Sequence, residues 1–94
     1  AMEIYKNRFI AYSLGNFCTY ARFNLSGPNG IAPLVQLITN EKGEFLRGKI
    51  ISVYQAGEGG THLDPHKRVI DVINKLNKSD LPENVLEISE NGDF

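Results

Sequence analysis

The chain has 94 residues, of which 41% are hydrophobic and 22% charged, and a formal charge of −1 at neutral pH. That length allows one small domain with a single core. The near-neutral balance excludes a general attraction to nucleic acid or anionic membrane, no apolar run approaches the ~20 residues of a membrane span, and a lone cysteine, Cys18, excludes an intrachain disulfide.

Glu3-Ile4-Tyr5 and Arg8 to Leu14 read as two antiparallel strands joined through Lys6-Asn7, where Asn tolerates the left-handed turn conformation. Phe9-Ile10-Ala11-Tyr12 is an unbroken apolar run, the pattern of a strand buried on both faces. Ser13, Gly15 and Asn16 interrupt it with residues suited to a bend and to close backbone approach. Functional backbone is often placed where a buried strand ends in such a turn; the plainer alternative is a structural bend. Phe17 to Gly30 is a long connection that carries Phe17, Tyr20 and Phe23 and closes in Gly27-Pro28-Asn29-Gly30. Its aromatic rings either wall a substrate cleft or cover the end of the sheet, and the area each ring buries favours the cover. Cys18 has no adjacent histidine and reads as a half-buried small apolar residue, not a nucleophile.

Ile31 to Thr39 is a second apolar strand, with Pro33 placing its first half at an edge. Asn40-Glu41-Lys42-Gly43 turns it into a returning strand, Glu44 to Gln55, in which Phe45, Ile51 and Val53 share one parity and Leu46, Ile50 and Tyr54 the other. Ala56 to Leu63 is a Gly-rich linker without the Gly-Lys-Ser/Thr ending of a nucleotide-phosphate loop. Asp64-Pro65 starts a helix in this reading, with Asp capping and Pro in the first turn. Val69, Val72, Ile73 and Leu76 form its apolar face, Lys75 and Lys78 suit its C-terminal end, and Ser79 to Pro82 stops it. Val85 to Ser89 reads as a short last strand before the turn Glu90-Asn91-Gly92-Asp93.

His62, Asp64 and His66 alternate as metal-competent groups would on one strand face, but Pro65 and the helical pattern break that geometry, so Asp64 is better used as a cap. The glutamates Glu3, Glu41, Glu44 and Glu58 are scattered, and no Ser-His-Asp arrangement is supported. The elements add up to an α+β fold: a mostly antiparallel sheet of four to five strands with one C-terminal amphipathic helix.

Ile10-Ala11-Tyr12-Ser13-Leu14-Gly15-Asn16-Phe17 resembles the Tyr-Ser-Leu-Gly-Asn-Phe signature of the CapA/PgsA family of poly-γ-glutamate capsule-biosynthesis proteins. Glu3 to Arg8 is similar to the strand and turn that enter this signature, and Phe23-Asn24-Leu25 with Gly27 to Leu34 is similar to a subgroup with a Gly-Pro-rich loop. The resemblance is carried by the hexapeptide, extends in pattern to about residue 55, and is weaker in the tail. It implies a calcineurin-like metallophosphatase fold at the cell envelope or outside the cell. The family's Asp, Asn and His metal ligands would precede Ala1, so residues 1–94 are expected to be a C-terminal fragment of a larger domain. Within it, 1–55 is strand-rich, 56–63 a linker, and 64–94 a helix with a last strand. The fragment is expected to be inactive alone and to hold no cofactor; a divalent metal is a candidate cofactor only of the longer protein, in which a metal-dependent hydrolase activity is conceivable. The resemblance places Ser13, Gly15 and Asn16 at a substrate- or anion-binding turn near the metal cleft, with backbone N–H groups cradling the anion and the Asn16 amide orienting it. The expected partner is then the missing N-terminal portion of the same domain. The alternative is a non-enzymatic interaction or scaffold module that binds through the 17–30 loop or exposed strand edges. An excised Phe9–Tyr12 strand, apolar on both faces, is also expected to self-associate or expose an apolar patch.

Overall fold

Two consecutive left-handed residues, Lys6 (φ 49°) and Asn7 (φ 64°), fold the start of the chain back on itself in the computed structural model, which describes residues 1–18, 26–55 and 60–94. This is the backbone of a tight primed hairpin turn, and Asn is one of the few side chains that enters it easily. Strands β1 (Met2–Tyr5) and β2 (Arg8–Ala11) pair antiparallel with Met2 opposite Ala11 and Tyr5 opposite Arg8. The strand therefore stops at Ala11, short of the expected Leu14. The expectation of burial on both faces also fails: Phe9, Ile10 and Ala11 are half-buried, and Tyr12 is 60% exposed. Among the described residues this sheet has only two strands; alternation turns Phe9 and Ala11 to the core and leaves Tyr12, on the other parity, exposed.

A short 3-10 turn (Gly27–Gly30) leads into β3 (Ile31–Thr39), which pairs antiparallel with β4 (Phe45–Gln55). Asn40 builds the turn between them. Its Oδ1 accepts the Lys42 and Glu44 N–H groups (3.0 and 2.9 Å), and its amide donates to the Glu44 carboxylate (2.9 Å). A register shift between Ile38 and Thr39 sets Thr39 opposite Phe45. The shift takes Phe45 off the parity of Ile51 and Val53, contrary to the simple alternation, and onto the side of Ile50. There it stacks with Phe94 (5.6 Å between centroids) and approaches Phe9 (6.5 Å). Gly48 makes room for this, because a Cβ at position 48 would lie 2.4 Å from the Phe94 ring.

Strand β5 (Thr61–Leu63) pairs antiparallel with Val53–Gln55, giving a second sheet in the order β3-β4-β5. These three residues were expected to belong to the Gly-rich linker; three residues are too few for a strand pattern, and it is the edge of β4 that organises them. The rest of that linker, 56–59, and the loop residues 19–25, with Tyr20, Arg22, Phe23 and Asn24, lie outside the described residues. Among the described residues, two antiparallel sheets and one α-helix make the fold α+β.

Helix α1 (Arg68–Asp80) starts later than Asp64-Pro65 suggests, and the residue at its N-cap, Lys67, is left-handed with no side-chain cap. Asp64 instead ties the preceding turn: its carboxylate accepts the His66 N–H (3.1 Å), the Arg68 N–H (3.1 Å) and the Arg68 Nε–H (3.0 Å). The buried stripe of α1 is Val69, Ile70, Ile73 and Asn77. The expected face is thus rotated; Leu76 is exposed and Val72 half-buried. Val69, Ile70 and Ile73 pack with Met2, Ile31, Ile50 and Ile88 in one core.

Val85 to Ser89, expected as a last strand, forms no ladder. Its backbone groups are satisfied by side-chain amides of α1 instead. Asn74 exchanges two hydrogen bonds with the Ile88 backbone (both 2.9 Å), and Asn77 donates to the Leu86 carbonyl (2.8 Å). Asn77 Oδ1 also accepts the Met2 N–H (2.8 Å), so a fully buried amide joins the first strand, the helix and the C-terminal segment. Pairing resumes only at the end, where Asp93 bridges Lys49 and Phe94 exchanges hydrogen bonds with Gly48 (2.8 and 3.1 Å).

Candidate functional site

The signature residues form one exposed turn that leaves β2. Gly15 takes φ +68°, and its N–H donates to Ser13 Oγ (3.3 Å). A Cβ at Gly15 would stand 3.5 Å from the Ile31 carbonyl, an ordinary contact, so the positive φ and not crowding calls for glycine. Asn16 is half-buried and donates its amide to the Asn29 carbonyl (3.2 Å), fastening the turn to the entrance of β3. The Thr61 hydroxyl donates to the Phe17 carbonyl, fastening it to β5 as well. Ser13, Gly15 and Asn16 are thus brought together, but the Gly15 N–H and the Asn16 amide already have partners within the chain. Cys18 is exposed, where a half-buried position was expected; the turn directs the chain outward at this point.

Beside the turn, Tyr12 donates its hydroxyl to the carboxylate of the buried Glu3, which also accepts from Asn84 Nδ2 (3.1 Å). This hydrogen bond to Glu3 is the main reason the Tyr12 phenol titrates above its ordinary value; desolvation and the Glu3 charge act in the same direction.

A cleft lies elsewhere, along the edge of β4 that faces away from β3. Two separate pieces of chain share that edge. β5 covers Val53–Gln55, and the Asp64 N–H donates to the Ser52 carbonyl (2.9 Å). The C-terminal piece covers the other end, with the Ile50 N–H donating to the Gly92 carbonyl (2.7 Å). The first piece departs into α1 and the second arrives from the segment held by Asn74 and Asn77. Where they part, opposite Ile51 and Ser52, they leave a cleft of about 710 Å³. Ile50 and Ile70 are its buried apolar lining, Leu63 and Pro65 continue it outward, and Lys49 and Lys67 stand exposed at its rim.

The polar lining is uneven. Among the described residues, Ser52 Oγ is the buried side-chain polar atom with no hydrogen-bond partner, on a residue only 7% exposed. Burial alone would raise the Asp64 carboxyl pKa, but the Arg68 side chain, the Arg68 and His66 backbone N–H groups and the Arg68 charge together hold it below the ordinary value. Asp64 is therefore ionised and already matched by Arg68 at 3.0 Å, which leaves Asp93 as the unmatched carboxylate in the lining against Lys49 and Lys67.

None of this was visible in the sequence as a site. Lys49, Ser52 and Asn91 come from distant stretches, and the one available signal was a lone hydroxyl inside the apolar run Ile50-Ile51-Ser52-Val53. His62, Asp64 and His66 do not converge: His62 lies against the Tyr54 ring (5.5 Å), and Asp64 is bound to Arg68. Among the described residues no three His, Cys, Asp or Glu side chains are grouped to hold a metal. No helix among the described residues is long and apolar enough to cross a membrane. Comparison of the chain with family models, curated proteins and solved structures returns no match.

Proposed function

We propose that this chain is the closing part of a larger metallophosphatase-type sandwich, in a protein of the cell envelope resembling those of poly-γ-glutamate capsule synthesis. In this reading it contributes the Ser13–Asn16 turn to the cleft of the whole protein and is inactive alone. The observation that carries the reading is the combination of an ordered signature turn with the apolar groups it presents outward. Tyr12, Leu14 and Phe17 are all exposed around a turn that Asn16 and Thr61 hold in place. The adjoining sheet has two strands, and a two-stranded sheet is marginal without further strands or packing. An exposed apolar surface next to a sheet of that size supports a missing complement.

The alternative, an interaction module, is favoured by β3. Among the described residues it pairs only with β4, and its residues, Ile31 to Thr39, include no charged side chain to discourage strand addition along the other edge.

The reading frame upstream of Ala1 separates the two. The first reading expects Asp, Asn and His metal ligands ending in a His-rich motif there; an unrelated sequence overturns it. In the longer protein, Asn16→Ala is expected to reduce metal-dependent phosphoester hydrolysis with the fold intact, and unchanged activity and folding would remove Asn16 from the site. The 94-residue chain with manganese and p-nitrophenyl phosphate is expected to show no turnover.

A further inference from the structure

The split edge of β4 bears on ligand binding independently of the capsule reading. A cleft of about 710 Å³ falls in the size range of small-molecule sites, and its lining has the usual composition of an apolar bed with few polar groups. Its position has a structural cause. Two chain pieces that complete one strand diverge here, between the Asp64 N–H on the Ser52 carbonyl and the Gly92 carbonyl on the Ile50 N–H.

The charges decide the ligand class. Asp64 is spent on Arg68 and two backbone N–H groups. Of the remaining charged lining residues, Lys49 and Lys67 face one carboxylate, Asp93, which leaves a net positive rim on a chain whose overall charge is −1. Neither lysine takes part in an ion pair among the described residues. Lys67 is moreover held in a left-handed backbone conformation (φ 51°), which a non-glycine residue adopts only when its surroundings impose it.

We propose that this cleft binds a small organic anion, with its apolar body against Ile50 and Ile70 and its charged end between Lys49 and Lys67. The shared chemistry is an anionic group on an apolar body; a carboxylate and a phosphate monoester both satisfy it.

The test is a titration of the 94-residue chain followed by amide ¹H–¹⁵N chemical shifts. The probes are benzoate, phenyl phosphate, the neutral isostere benzamide, and inorganic phosphate. Saturable shifts are expected on Ile50 to Ser52, Leu63 to Ile70 and Asn91 to Asp93. The anionic aromatic probes should bind about fivefold or more tightly than benzamide, the equivalent of roughly one partly exposed charge contact. Preference for benzoate or for phenyl phosphate identifies the anion class, and either supports the site. Lys49→Gln and Lys67→Gln should each weaken binding about two- to fivefold. Benzamide binding as tightly as benzoate, inorganic phosphate binding as tightly as phenyl phosphate, shifts outside these three stretches, or lysine variants without effect would each overturn the proposal.

Discussion

Replacing Asn77 with alanine removes the one side chain that ties β1, α1 and the C-terminal segment together. Two hydrogen bonds disappear, from the Met2 N–H and to the Leu86 carbonyl, each 2.8 Å. Met2 is 1% exposed, so its N–H loses its partner where no water replaces it. A buried group left unsatisfied costs roughly 1–3 kcal/mol. The half-buried Leu86 lies nearer the low end of that range. Alanine recovers roughly 0.5 kcal/mol of helix propensity, so the net expected loss is about 2–4 kcal/mol. Asn77→Asp refines the test. It keeps the acceptor for Met2, but its ionised form cannot donate to Leu86 and carries a charge into a fully buried place. Burial raises this carboxyl's pKa in the folded state above its unfolded value. The variant's stability is then fully present below the unfolded carboxyl value and is lost as pH rises through the folded one. Urea unfolding of wild type and both variants across acid to neutral pH measures this. A loss below about 1 kcal/mol for Asn77→Ala, within the range of an ordinary surface change, would refute the reasoning, as would an Asn77→Asp variant whose difference from wild type does not change with pH.

Gly92→Ala should be severely destabilising, by more than about 3 kcal/mol, because its Cβ would lie 2.1 Å from the Ile50 carbonyl oxygen at φ +91° and backbone cannot swing aside. Gly48→Ala meets the Phe94 ring at 2.4 Å, a side chain that can move, so about 1–3 kcal/mol is expected from the overpacking; thermal unfolding ranks the two, and the reverse order would count against the packing described. Asp64 has a depressed carboxyl pKa in the folded state, so its contribution is present above the unfolded carboxyl value of about 3.9 and is lost as pH falls below it toward the folded value. Asp64→Asn should therefore be less stable than wild type at neutral pH, with the gap closing in acid; a gap independent of pH would contradict the pairing with Arg68. Ser52→Ala removes a buried hydroxyl that has no partner and should leave the ligand-free chain as stable or more stable, by up to about 1 kcal/mol, and a clear loss in urea unfolding would show that the hydroxyl is bonded.

The parts of this fold that local chemistry governs could be read in advance. Asn7 and Asn40 announce their turns, and the existence of a helix through Val69 to Leu76 follows from the apolar spacing, although it begins at Arg68 and not at Asp64-Pro65. The phase of that helix could not be read, because Asn77, a polar residue, occupies its most buried position. The same fact hid the fate of Val85 to Ser89: its apolar alternation suits a strand, but the groups that satisfy its backbone are Asn74 and Asn77 on another element. Phe45 escaped simple alternation through a register shift that no residue marks. The cleft was illegible for a more general reason. It arises where two pieces of chain meet one strand edge, and Leu63 and Asn91 are neighbours of that edge only after folding.

On the proposed reading, the exposed surface around Tyr12, Leu14 and Phe17 packs against the remainder of a longer protein. Amide hydrogen exchange of residues 10–17, compared between the 94-residue chain and the longer protein from the same reading frame, tests it directly. These amides are expected to exchange more slowly in the longer protein than in the 94-residue chain. Equal exchange rates in the two would contradict that reading.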